Sequence, residues 1–357
     1  MTESAEEALL SPRLAVDLAG HRGAERAFLD AWSGGRLAHS WLISGPRGIG
    51  KATLAFRIAR FALSHGGVPH GGAGATQGLF ADNEALNLTM SPDNLVFRRI
   101  ASGGHSDLKV LERLPDPAKG GKLPSDIPAE LARSVGSFLS LTPGEGGWRV
   151  VIVDSLDELN RHGANALLKI VEEPPRNALI LLISHSPGNV LPTIRSRCRT
   201  LVLQPLSEAT LLELLAKYLP DLPKPDRLEL ARLAPGSIGD ALALAQGDGL
   251  ALYRGMIALL EPLPRMNVEA LHAFAEAGGR SEGSLRIVAR LLSGWLSGAI
   301  ARVARGEPGL IPTADLDRWI ELWEKTNHSF ERTEAINLDR RQSLLNAFLA
   351  IESLCRS

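Results

Sequence analysis

The chain has 357 residues, enough for two or three domains with cores of their own. A net charge of −1 excludes an overall basic field that would draw it onto DNA or an anionic membrane. Its two cysteines, Cys198 and Cys355, exclude a disulfide scaffold and a four-cysteine zinc site.

The composition, 45% hydrophobic and 22% charged, is ordinary for a soluble globular protein. The start MTESAEEALL is acidic and lacks the basic opening of a signal peptide. No run of consecutive apolar residues approaches the ~18 needed to span a bilayer. The expectation is a cytoplasmic multidomain protein with no membrane partner.

Residues 24–37 read as a helix ending in glycines, and HSWLIS (39–44) as a short buried strand. The strand runs into ISGPRGIGKATLAF (43–56), and ATLAFRIARFAL (52–63) has helical apolar spacing. Strand, glycine-rich loop and helix in this order are the setting of a phosphate loop. Residues 64–126 are loop-rich, with SHGGVPHGGAGATQG and PDPAKGGKLPSD flanking NLVFRRI, which reads as a short strand. IPAELARSVGSFLSL (127–141) reads as a helix. WRVVIVDS (148–155), NALILLISHS (177–186) and TLVLQP (200–205) read as strands; the first two lack polar alternation, as strands buried on both faces do. HGANALLKIVEE (162–173) is a helix stopped by Pro174-Pro175. Strands alternating with helices predict a parallel sheet covered on both sides. After Pro205 every predicted element is a helix, the first capped by Ser207. Two apolar stripes, Leu316/Trp319/Ile320/Trp323 and Leu344/Leu345/Phe348/Ile351/Leu354, require partners within a bundle or on another chain.

The loop Gly45-Pro46-Arg47-Gly48-Ile49-Gly50-Lys51-Ala52-Thr53 has the glycines that let backbone N–H groups converge on phosphate, and a lysine for its outer oxygens. It lacks the hydroxyl that would hold Mg²⁺, because position 52 is alanine. Thr53 points about 100° further round the helix and does not replace it. The strand after it ends Asp154-Ser155, where an acid after the aspartate would activate water. Asp157 and Glu158 are expected to turn away from the site. In PTIRSRCR (192–199), Arg197 and its neighbours fit either a solvated basic surface or a guanidinium offered to a phosphate on another subunit. His65, His70 and His105 fit loop residues better than metal ligands. Arg98, Arg99, Lys109, Lys119 and Lys122 are a scattered basic set that leaves autonomous nucleic-acid binding as a weaker reading.

Three stretches together closely resemble the AAA+ subunits of bacterial clamp loaders: residues 20–63 (GHRGAERAFLDAWSGGRLAHSWLISGPRGIGKATLAFRIARFAL), NALLKIVEEPP, and the Ser196-Arg197-Cys198 loop. The resemblance covers roughly 18–63 and 148–245. It implies an α/β phosphate-loop AAA+ core (1–205), a parallel sheet with helices on both faces. A small helical lid (206–248) and an all-α C-terminal collar domain (249–357) would follow. Hydrolysing gamma/tau-type members carry Thr, Glu and Arg where this chain has Ala52, Ser155 and Gly239, whereas the SRC arginine is kept. That is the delta-prime pattern. It implies a subunit of the DNA polymerase III holoenzyme that does not hydrolyse ATP itself and lends Arg197, beside Ser196, to a neighbouring ATPase site. Asp154 and Ser155 would be a degenerate Walker B pair and Ser184 the sensor 1 position. The implied partners are gamma/tau and delta subunits, with the sliding clamp and primed DNA reached through the complex. No cofactor is required on this reading, although ATP or ADP binding without hydrolysis stays open. The cysteine-rich zinc module of many members is absent from 64–78, so no zinc is expected.

Overall fold

The computed structural model describes residues 11–65, 87–114, 124, 126–145, 147–307 and 316–356. They form two compact units: Met1–Tyr218 with Pro235–Gly239, and Leu219–Ala234 with Asp240–Ser357.

The first unit is built on five parallel strands: β1 (Ser40–Ser44), β2 (Leu108–Glu112), β3 (Arg149–Asp154), β4 (Ala178–Ser184) and β5 (Arg199–Val202). Their spatial order is β2-β3-β4-β1-β5. β1, β3 and β4 are unbroken apolar runs because both faces are covered. Successive residues go to opposite cores. Trp41, Ile43, Val150, Ile152, Leu179, Leu181 and Ile183 pack on one side with helices α1 (Arg22–Ser33) and α2 (Lys51–His65). Leu42, Val151, Val153, Ile180 and Leu182 pack on the other with α4 (Ala129–Ser140) and α5 (Arg161–Glu172). Each fully buried Leu, Ile or Val contributes about 1.5–3 kcal/mol over leaving it exposed. Helices on both faces of a parallel sheet are therefore what the apolar runs predict.

Two elements differ from the sequence reading. NLVFRRI is helix α3 (Leu95–Ala101), not a strand. Asn94 caps it by accepting from the Val96 N–H at 2.8 Å, and Phe97 and Ile100, three apart, face the core. The strand of this region is instead β2, which pairs with β3 in the register Glu112↔Asp154. Its sequence LKVLE lies at a sheet edge and is mostly half-buried, so its apolar signal is diluted.

Helix α2 is buried nearly all round, and even its arginines are enclosed. Arg57 donates to Glu25 at 2.8 Å and to the Val16 carbonyl, and Arg60 donates to the Ala15 carbonyl at 2.6 Å. These bonds fix the segment before α1 against the helix that follows the glycine-rich loop. Next come α6 (Pro192–Arg195) and α7 (Glu208–Tyr218). Ser207 caps α7 by accepting from Thr210 N–H at 3.2 Å.

Within the second unit, α8 (Lys224–Leu233), α9 (Ile238–Gln246, from Asp240 onward), α10 (Gly249–Leu260), α11 (Val268–Gly279), α12 (Glu282–Ala304), α13 (Leu316–Ile336) and α14 (Arg340–Arg356) are all helical. Leu344, Leu345, Phe348 and Ile351 are buried, and α14 packs on α11 and α13. Trp319 is fully buried, and Trp323 donates to the Ser293 hydroxyl at 2.9 Å. Ile320 of the second stripe is exposed instead. Helix α12 is long and apolar enough, by length and composition, to cross a membrane. It carries a buried stripe (Leu285, Val288, Leu292, Leu296) packed against its neighbours in the bundle.

Candidate functional site

The glycine-rich loop leaves the carboxyl end of β1, where open parallel sheets bind ligands. Gly45 has φ +144°, and a Cβ there would collide with the Leu203 carbonyl, so the first turn requires glycine. Ile49 is buried and anchors the loop in the core, while Pro46 and Arg47 are exposed. Ala52 and Thr53 sit half-buried in the first turn of α2.

The loop's own carbonyls are heavily used. Lys51 is buried and donates to Gly45 O at 2.7 Å and to Pro46 O. His21 Nε2 donates to Ile49 O at 2.7 Å. Burial holds the His21 pKa below its ordinary value, which keeps the ring neutral. Ser237 donates its hydroxyl to Arg47 O at 3.0 Å. Gly239 N–H donates to Gly48 O at 2.9 Å, and a Cβ on Gly239 would lie 2.9 Å from Gly48 Cα. The Pro235–Gly239 segment is thus seated on the loop, at a position where no side chain fits.

Asp154 and Ser184 lie at the same end of the sheet. Ser184 is the register partner of Ser44, one residue before the loop glycine. Its hydroxyl donates to Asp157 Oδ1 at 3.1 Å, and Asp157 also accepts the His185 N–H at 2.6 Å and the Ser186 N–H at 3.2 Å. Asp157 is therefore turned into the site, contrary to the sequence reading. The short 3₁₀ turn Leu156–Glu158 redirects the chain and swings its carboxylate onto the end of β4. Glu158 pairs with Arg113 at 2.6 Å. Ser155 is buried and its hydroxyl has no hydrogen-bond partner among the described residues.

Burial pushes the Asp154 pKa up from 3.8 to about 6, helped by Glu112 and Glu158 and opposed by Lys51 and Arg47. A raised carboxyl pKa means that, between about pH 4 and 6, the folded chain keeps a proton the unfolded chain has lost. Stability from this group is full at low pH and is lost as pH rises through about 6. Asp154→Asn should therefore stabilise the fold at pH 7–8 by on the order of 1 kcal/mol, with the gain closing below about pH 4. Thermal melts across that range check it.

Arg197 stands apart from this cluster in its bonding. It follows α6 and is about half exposed; Nη1 donates to Thr193 O at 3.1 Å, and Nη2 pairs with Glu172 Oε1 at 3.1 Å. The Ser196 hydroxyl donates to Thr193 O at 3.2 Å. Neither Glu172 nor His21 was singled out from the sequence, since each is tied to the site by a long-range contact. Among the other candidates, His65 stacks on Phe61 at 4.3 Å and the buried His105 accepts from Asp107 N–H at 3.2 Å. Arg98 pairs with Asp93 at 3.2 Å, Arg99 with Glu145, and Lys109 lies over Phe138. His70, Lys119 and Lys122 lie outside the described residues.

Comparison with known proteins places this chain in a family. Residues 20–207 match the family model for the DNA polymerase III delta subunit. The DNA polymerase III subunit delta' of Pseudomonas aeruginosa is 35% identical over 230 residues, 63% of this chain and 62% of that protein. The subunit delta' of Escherichia coli is 30% identical over 218 residues, 61% of this chain and 58% of that protein. The subunit tau of Escherichia coli is 30% identical over 282 residues, 75% of this chain and 39% of that protein. Each match therefore spans less than two thirds of the relative's length. Among solved structures, a gamma subunit-related protein of DNA polymerase III from Thermotoga maritima aligns with 92% of this chain and all of its own, at 16% identity and a TM-score of 0.42. More than half of the residues fall within the matched family, and the chain belongs to the DNA polymerase III delta subunit family, with delta-prime subunits among its relatives.

Proposed function

We propose that this chain is a non-hydrolytic clamp-loader subunit of the DNA polymerase III holoenzyme. With gamma/tau and delta subunits it helps place the sliding clamp on primed DNA, and Arg197 completes a neighbour's ATP site. The observation that carries the reading is the seat of Gly239 on Gly48. The lid position that would offer an arginine to bound nucleotide is a backbone contact with no room for a side chain. Ala52 supplies no Mg²⁺ ligand, Ser155 supplies no base, and the Ser184 hydroxyl is engaged by Asp157. On this reading the core, lid and collar are 1–205, 206–248 and 249–357. The chain works in the cytoplasm and needs no cofactor, and any ATP or ADP it binds is not turned over.

Mixing the chain with candidate gamma/tau and delta subunits should give one complex by native mass measurement. The chain alone, with Mg²⁺, primed DNA and clamp, should show no steady ATP turnover. Failure to enter a complex would overturn the reading. A gamma/tau-like active ATPase is the second reading, favoured by the intact Gly45–Lys51 loop and the tau similarity. Turnover by the isolated chain that Lys51→Ala abolishes would support it.

A further inference from the structure

The guanidinium of Arg197 is not free in this chain. Glu172 is the last residue of α5, just before the Pro174-Pro175 stop. Its carboxylate meets Nη2 at 3.1 Å, while Nη1 is held by Thr193 O at 3.1 Å and approaches the Ser196 hydroxyl at 3.4 Å. The two backbones are fixed by one core: Leu167 and Val171 of α5 pack in the same cluster as Val190 and Ile194, with Cys198 against it. The pairing is thus set by the fold, not by a chance meeting of two long side chains. Both side chains are nonetheless a little over 40% exposed, so the pair is weak and exchangeable.

We propose, building on the finger role given to Arg197 above, that Glu172 is its resting partner and tunes how strongly it engages a neighbour's nucleotide. Phosphate oxygens compete for the same Nη2 donor that Glu172 occupies. A carboxylate bonded to a guanidinium that touches phosphate stands close enough to repel that phosphate's charge. Engagement is then an exchange of carboxylate for phosphate, which keeps the finger reversible. The Thr193 and Ser196 contacts persist without Glu172 and continue to orient the side chain. Glu172 acts through Arg197 and is a positioning residue.

The test is Glu172→Gln, an isosteric change at an exposed position, in a reconstituted loader assayed with primed DNA and clamp. The neighbour's KM for ATP should fall by about threefold to tenfold with kcat little changed, and the shift should shrink at high salt. In the Arg197→Ala background, adding Glu172→Gln should change nothing. An unchanged KM in Glu172→Gln, or a shift that survives Arg197→Ala, would overturn the proposal while leaving the finger intact. Arg197→Ala that leaves ATPase unaltered would remove the finger reading and this inference with it.

Discussion

On the proposed reading, in which Arg197 completes a neighbour's ATP site, replacing it by alanine should lower ATP hydrolysis at that site by about 10³-fold, with assembly intact. The magnitude follows from what a finger does. It brings a planar cation to the γ-phosphate as charge spreads over the transferring group. The structural cost is small by contrast. The Arg197 side chain is about 42% exposed and belongs to no core cluster, and the pair it forms with Glu172 is of the exposed kind worth about 0.2–1 kcal/mol. Arg197→Lys should recover little, because an ammonium cannot present two parallel N–H groups. The readout is steady-state ATPase of the reconstituted loader with clamp and primed DNA, beside native mass of the complex. On that reading the loader's other sites continue to turn over, and the total rate falls by the share of the affected one. A total rate equal to that of the unaltered loader would remove Arg197 from the mechanism.

How much of this was readable in the sequence depends on the range of the interaction. β1, β3 and β4 announced themselves because a strand covered on both faces is a continuous apolar run, and Val150 to Val153 need no other signal. The phosphate loop and the Pro174-Pro175 stop are equally local. β2 stayed hidden because an edge strand with Lys109 and Glu112 in it is not a run, and α3 passed for a strand because its length of seven residues offers little periodicity. Asp157 was misjudged for a different reason. Which way a carboxylate points after a strand is set by a single 3₁₀ turn, and its partners, Ser184 to Ser186, lie 27 or more residues away. The absence of Ala52's hydroxyl was visible in the sequence. That Gly239 is pressed against Gly48 was not, because that contact joins residues almost two hundred positions apart.

On the proposed reading that contact makes the three departures unequal, and introducing Thr, Glu and Arg at 52, 155 and 239 together should not create an ATPase. Ala52→Thr adds a small group to a half-buried position in the first turn of α2 and should be tolerated. Ser155→Glu places a carboxylate at a buried position next to Asp154, whose own pKa is already raised to about 6 by burial and by Glu112 and Glu158. A second acid there adds like-charge repulsion at a buried position. Gly239→Arg meets backbone: its Cβ would lie 2.9 Å from Gly48 Cα and 3.3 Å from Gly48 O, and neither atom can swing aside as a side chain would. Relief requires moving the Pro235–Gly239 segment off the loop, with loss of the Gly239 N–H bond to Gly48 O. Overpacking together with that lost bond should cost about 3 kcal/mol, or roughly 10 °C in melting temperature. The triple variant, purified alone and assayed with Mg²⁺ and primed DNA, should melt earlier and turn over no ATP. If it hydrolyses ATP steadily, and Lys51→Ala abolishes that turnover, then the Gly239 seat does not govern the site and the simple absence of the three groups does.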